Sequence, residues 1–203
     1  MTARAASRPV IAVSQRRDPT GPPHDEIRDA LDVRLAEFVL SAGGLPVPVP
    51  SALGADGLVA WLAAVGPDAV LLSGGADIGR DPARDTLEAG LLNYAAEDRR
   101  PVLGICRGLQ YMAHAAGTPL VPVAGHVACR HRLAGEIARE VNSFHAVALS
   151  GTPAGYRALA HAPDGTIEAI AHSDLPWEGW MWHPERETRP DPDDIDRFRR
   201  IIA

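Results

Sequence analysis

The segment Val102-Leu103-Gly104-Ile105-Cys106-Arg107-Gly108-Leu109-Gln110 carries the strongest chemical signal in this chain of 203 residues. A buried apolar strand runs straight into a helix, and Cys106 sits at the corner. Gly104 and Gly108 flank it at two residues on either side, the spacing of a nucleophile elbow, where strand and helix need small neighbours to approach. The free N–H groups and positive dipole end of the helix favour a thiolate over the thiol, whose ordinary pKa is about 8.5. The backbone N–H of Arg107 would point where an oxyanion forms. Gln110 lies one turn along the helix, on the same side as Cys106. A lone cysteine is more often a buried structural residue, so spacing alone leaves both readings open.

A thiol nucleophile needs a base, and Trp180-Met181-Trp182-His183-Pro184-Glu185 offers one. In an extended segment His183 and Glu185 project to the same side, and Pro184 biases His183 toward that shape. Glu185 would then orient the imidazole while His183 activates Cys106. His-Pro-Glu alone is usually a surface turn; it gains weight only beside the elbow. The glycine-rich stretch Ser73-Gly74-Gly75-Ala76-Asp77-Ile78-Gly79 follows another apolar strand. Its Gly75 N–H is a candidate second oxyanion donor, although such a stretch standing alone reads as a plain turn. Arg16 and Arg17 follow the first strand, and Arg130, His131 and Arg132 lie between the elbow and Val141-Asn142-Ser143-Phe144-His145. Either cluster could meet a diphosphate, while any single arginine is more often a solvated surface residue. Cys129, His126 and His131 sit in one loop without a clear fourth ligand, so no metal is expected there. They are expected to line the mouth of the cleft.

The elements that must position these groups alternate through the first half. Strands are expected at Pro9 to Ser14, Leu45 to Val49, Asp68 to Ser73 and Pro101 to Ile105. Helices are expected over Asp25 to Ser41, Leu58 to Val65, about Arg84 to Arg99, and Gly108 to Ala116. Such alternation predicts a parallel sheet with helices on both faces. The second half is richer in strands, including Val141 to Leu149 and Thr166 to Ala171, with Pro163-Asp164-Gly165 as a turn. A last helix spans Pro192 to Ile202, with Asp191 as its N-cap. The fold class is therefore α/β, with a mostly parallel central sheet and an added β-rich segment. No linker divides the chain, so one domain is expected over residues 9–203, preceded by a disordered tail over residues 1–8.

Two cysteines give no disulfide framework. The longest apolar runs, Ala69 to Leu72 and Val102 to Ile105, are far too short to span a bilayer. The net charge is −6, with no basic stripe interleaved with aromatics, which argues against a nucleic-acid polymer as partner. A cytoplasmic location suits a free thiol and an N-terminus without an apolar stretch.

The blocks SGGADIG (73–79), GICRGLQ (104–110), VNSFH (141–145) and WHPE (182–185) together resemble the class I glutamine amidotransferases, in particular their stand-alone γ-glutamyl hydrolase branch. The resemblance implies a flavodoxin-like α/β/α fold, the triad Cys106, His183 and Glu185, and no metal or organic cofactor. It also implies glutamyl contacts from Gln110 and from the block Asn142, Ser143, Phe144 and His145. Arg107 after the cysteine and Arg84-Asp85 look like the γ-glutamyl-γ-aminobutyrate hydrolases. Other blocks are similar to enzymes that hydrolyse a γ-glutamyl-CDP-amidate in phosphoramidate biosynthesis. These are Ser14-Gln15-Arg16, Glu26 to Asp32, Gly125-His126-Val127 with Arg130-His131, Asp164 to Ala169, and Met181 to Glu187. The likeness implies a small-molecule γ-glutamyl substrate, with Arg16 and Arg130 as candidate phosphate contacts. The alternatives are a γ-glutamyl-γ-aminobutyrate-type hydrolase and a glutaminase subunit feeding ammonia to a separate synthetase chain; a homodimer is also left open.

Overall fold

The computed structural model describes residues 8–203. Apart from Arg8, the expected N-terminal tail therefore lies outside the described residues. The first half contains β1 (Val10–Val13), β2 (Arg16–Pro19), β3 (Ile27–Ala30), α1 (Val33–Ser41), β4 (Leu45–Pro48), α2 (Gly54–Val65), β5 (Ala69–Leu72), α3 (Pro82–Glu97), β6 (Val102–Ile105) and α4 (Arg107–Ala115). The second half contains β7 (Leu120–Pro122), β8 (Val127–Arg132), β9 (Ala134–Gly135), β10 (Glu140–Phe144), β11 (Val147–Leu149), β12 (Tyr156–His161), β13 (Ile167–His172), β14 (Trp177–Trp180) and α5 (Pro192–Ile201).

The central sheet has the order β4-β1-β5-β6-β14-β13-β12-β9. The strands from β4 to β14 pair in parallel, and β13, β12 and β9 continue the sheet antiparallel. The inner strands read as unbroken apolar runs because both faces are covered. Ile11, Val13, Leu71, Leu103 and Ile105 face α1 and α5, where Phe38 and Phe198 stack with ring centroids 5.5 Å apart. Ala12, Val70, Leu72 and Val102 face the other way, onto Leu58 and Leu62 of α2, Leu87 and Leu91 of α3, and Met112 of α4. The period-2 alternation of a strand thus builds two cores from one sheet. Among the described residues no helix is long and apolar enough to cross a membrane.

Two expectations need correction. The helix over Asp25 to Ser41 is a helix only from Val33; the residues before it form β3, which pairs antiparallel with β2. Ile27, which mimics the start of an apolar helical face, is 64% exposed. The real start signal is Asp32, whose carboxylate caps the Arg34 N–H at 3.0 Å. The strand over Val141 to Leu149 is two strands: β10 pairs with β8, and β11 with β7. Asp191 caps α5 as expected, accepting from the Asp193 N–H.

Candidate active site

Cys106 occupies the N-cap of α4, directly after β6, with φ 52° and ψ −104°. That conformation is rare for a residue with a side chain and costs about 1–3 kcal/mol. The flanking glycines permit it. A Cβ on Gly104 would lie 2.6 Å from Met112 Sδ and from the backbone of Gly108, and a Cβ on Gly108 would run into the Leu72 carbonyl oxygen. The Cys106 N–H donates to the Trp180 carbonyl at 2.7 Å, which fixes the elbow to β14.

Strand β14 leads through Met181-Trp182 to His183, whose ring is buried. Its Nδ1 lies 2.7 Å from Glu185 Oε1. Pro184–Arg186 form a 3-10 turn rather than continuing the extended strand, so this turn, not strand alternation, brings the carboxylate under the ring. The ring rests on Gly74, where a Cβ would come within 2.8 Å of Cε1, and Phe144 meets it edge-on at 5.9 Å. Burial opposes the charged form of His183, but its polar contacts with Cys106 and Glu185 prevail and raise it to about 9. The imidazole therefore holds a proton at neutral pH beside the sulfur.

A cavity of about 270 Å³ opens over this pair, lined by Cys106, His183, Glu185, the Ser73–Ala76 loop, Phe144, Arg16, Arg186 and the start of α1. The β2–β3 hairpin contributes Arg16 and Ala30 to its wall. Gly75 and Cys106 thus share one cavity, and the Arg107 N–H follows immediately in chain. The Arg107 side chain turns inward and pairs with Glu88 and Asp85.

The other expected substrate contacts fall elsewhere. Asn142 does not line the cavity: its Oδ1 accepts the His183 N–H at 2.9 Å and its Nδ2 donates to the His183 carbonyl at 2.8 Å. Ser143 Oγ donates to the His126 carbonyl at 2.7 Å, and His145 is buried against Glu168. Both are turned away from the cavity, on either side of Phe144, which lines it. Gln110 is buried, with its Nε2 donating to the Val147 carbonyl at 2.9 Å. Arg130 lies outside the cavity, paired with Glu140 and Glu187 at 2.8 and 2.9 Å. His126 and His131 do not line the mouth of the cleft; they are packed behind it, and Cys129 donates to the Gly125 carbonyl.

The structure also gives tasks to residues whose roles a reading of motifs does not reveal. Arg84 grips the glycine loop from below, donating to the carbonyls of Ser73 at 2.7 Å and Gly74 at 3.1 Å. Glu88 holds Arg84 at 2.9 Å and Ser14 at 2.8 Å. Arg186 enters the cavity with its guanidinium 4.9 Å over the Phe144 ring. The only local signal for the Arg84–Glu88 pair is its i,i+4 spacing.

The family model of class I glutamine amidotransferases matches residues 55–199, which contain the elbow and the His-Pro-Glu turn. The chain belongs to that family. Over 125 residues it is 34% identical to the γ-glutamyl-CDP-amidate hydrolase of Campylobacter jejuni, a match spanning 59% of this chain and 62% of that protein. Over 199 residues it is 30% identical to the γ-glutamyl-γ-aminobutyrate hydrolase of Escherichia coli O157:H7, spanning 76% of this chain and 78% of that one. A solved structure from Thermoplasma acidophilum, described as a putative GMP synthase subunit, shares the fold with a TM-score of 0.71. That match covers 98% of this chain and 94% of the other, at 20% identity.

Proposed function

We propose that this chain is a cytoplasmic, single-domain cysteine hydrolase that cleaves a γ-glutamyl amide bond and releases glutamate. The observation that carries the reading is the line Cys106, His183, Glu185 at one cavity, with the imidazole held protonated beside the sulfur. The Cys106 thiolate attacks the γ-carbonyl, and the tetrahedral oxyanion lies between the N–H groups of Arg107 and Gly75. One such donor is worth about 3–4 kcal/mol. His183 gives its proton to the leaving nitrogen. It then takes a proton from water, whose attack on the thioester frees glutamate and restores the thiolate beside the protonated imidazole.

For the leaving group, the reading is a γ-glutamyl nucleoside-diphosphate amidate of the CDP type. Two arginines line the cavity, Arg16 and Arg186, and the C. jejuni relative is named for that substrate. Arg16, although its Nε donates to Asp18 at 2.9 Å, keeps its place as a phosphate candidate because it lines the cavity, and Arg130 loses it because it lies outside. The test compares purified single chains. Turnover of γ-glutamyl-CDP-amidate is expected to exceed that of γ-glutamyl-γ-aminobutyrate and of glutamine. Cys106→Ala abolishes all three while the fold persists. Arg16→Gln raises KM for the nucleotide substrate by the loss of one charge-assisted contact, about 1.5–3 kcal/mol. Preference for γ-glutamyl-γ-aminobutyrate would refute the leaving group and spare the γ-glutamyl chemistry. Full activity in Cys106→Ala would refute both.

A further inference from the structure

Behind the cleft, four side chains from separate segments converge on one buried point. Glu168 of β13 is fully buried. His126, before β8, brings Nδ1 to 3.2 Å from Glu168 Oε1, and His145, between β10 and β11, brings Nε2 to 3.2 Å from the same oxygen. His131 of β8 places Nε2 3.6 Å from Glu168 Oε2. Three of these inward atoms, His126 Nδ1, His131 Nε2 and Glu168 Oε2, are buried without a hydrogen-bond partner. Buried polar atoms are rarely left so, because each costs about 1–3 kcal/mol.

The outer contacts say which way the lone pairs point. His126 Nε2 lies 2.9 Å from the Asp164 carboxylate, and His145 Nδ1 lies 3.1 Å from the Val147 carbonyl. Both oxygens can only accept, so those ring nitrogens carry the protons. In the neutral rings, His126 Nδ1 and His145 Nε2 then turn lone pairs toward a carboxylate. Such an array repels itself. A second proton on a ring or a cation at the centre relieves that repulsion, and only the cation also gives a partner to His131 Nε2. A carboxylate behind a histidine is the arrangement that orients a metal-ligating imidazole.

We infer that His126, His131, His145 and Glu168 form a four-ligand site for a divalent transition ion, with zinc the ion that best suits three imidazoles and one carboxylate. The ligand atoms of His126, His131 and Glu168 lie within 4.8 Å of one another. Zinc bonds of about 2.0–2.2 Å require them to draw in by side-chain rotation. Four protein ligands leave no open position, so the site is structural. It ties the loop before β8, β8 itself, the β10–β11 corner and β13 into one unit. That unit abuts the cleft twice: Phe144 precedes His145, and the Met181 N–H donates to the Glu168 carbonyl two residues before His183. The sequence hides the site because its third and fourth ligands lie far from the His126–His131 loop.

The site stands independently of the hydrolase reading, and its test needs no substrate. Tag-free protein is prepared in a Cys106→Ala background, which removes the cleft thiol as a rival ligand. It is stripped with a chelator, titrated with zinc chloride and analysed by mass spectrometry for metal content and by thermal unfolding. Zinc is expected to bind with a stoichiometry near one and to raise Tm. Asp164→Asn, on an exposed turn, is expected to weaken zinc binding by about 10–100-fold. His131→Gln and Glu168→Gln are expected to abolish the stoichiometric binding. Failure of the Cys106→Ala protein to bind zinc, with no shift in Tm, overturns the site without recourse to the variants. Undiminished stoichiometric binding in both ligand variants overturns it equally.

Discussion

Removing the Cys106 side chain should change the titration of His183, and the structure sets the size of the change. The rise of His183 from the ordinary 6.5 to about 9 corresponds to about 3 kcal/mol of preference for the charged ring. Burial acts against that charge, so Cys106 and Glu185 must supply more than the net rise. Cys106→Ala deletes one of these two partners and leaves the burial and Glu185. The ring of the variant should therefore titrate well below 9. Linkage then gives the sign for stability. A group whose folded pKa lies above its unfolded value contributes fully below the unfolded value, here about 6.5, and the contribution is lost as pH climbs through the folded value, about 9. Unfolding free energy of the wild type should thus fall across this window by up to about 3 kcal/mol through His183, and by clearly less in Cys106→Ala. The ring is read directly by NMR of its Cε1–H, and the stability by urea unfolding at either end of the window. A ring that still titrates near 9 in Cys106→Ala would show that Glu185 alone holds the proton. The coupling of thiol and imidazole would then be wrong.

Asn142→Ala removes both side-chain bonds to the His183 backbone; kcat should drop with KM nearly unchanged, and urea unfolding should show a loss of about 1–3 kcal/mol. Cys106→Gly should be more stable to urea than Cys106→Ala by about 1 kcal/mol, since glycine accepts φ 52° and ψ −104° without strain. Glu88→Gln leaves Arg84 and Arg107 buried without their shared counter-charge, and calorimetry should show a loss of about 3–5 kcal/mol.

The parts of this molecule that could be read from sequence are those governed by local chemistry. Cys106 between Gly104 and Gly108, at the end of an apolar run, reads as a strand-to-helix corner, because such a corner needs small neighbours at that spacing. The parallel strands declare themselves by unbroken apolar runs. The β2–β3 hairpin was hidden for the opposite reason: it is polar and exposed, so no buried face imposes period 2 on it, and Ile27, Leu31 and Leu35 mimic a helical face. Asn142 and His145 were legible as part of one block but not in their separate tasks. Phe144 lines the cavity while Ser143 turns inward to the His126 carbonyl, and the pairing of β10 with β8 shifts register between the two. No property of the block alone reveals which of its residues meets the cleft.

The same logic separates the two uses of Arg107. Its backbone N–H sits at the first turn of α4, whereas its side chain runs away from the cavity to Glu88 and Asp85. Glu88 also holds Arg84, and Arg84 holds the Ser73 and Gly74 carbonyls. One buried carboxylate therefore spans both segments proposed to stabilise the oxyanion. The Gly74 carbonyl points at Arg84, and in a trans peptide the N–H of the next residue points the opposite way. The Gly75 N–H is thus directed away from the guanidinium. Gly75 can have no side chain there, because a Cβ would collide with Arg84 Nη1. The ion-pair cluster beneath the cleft and the glycine pair above it are two halves of one device. The arginine sets which way the peptide faces, and the missing side chain lets the arginine come close enough to do so.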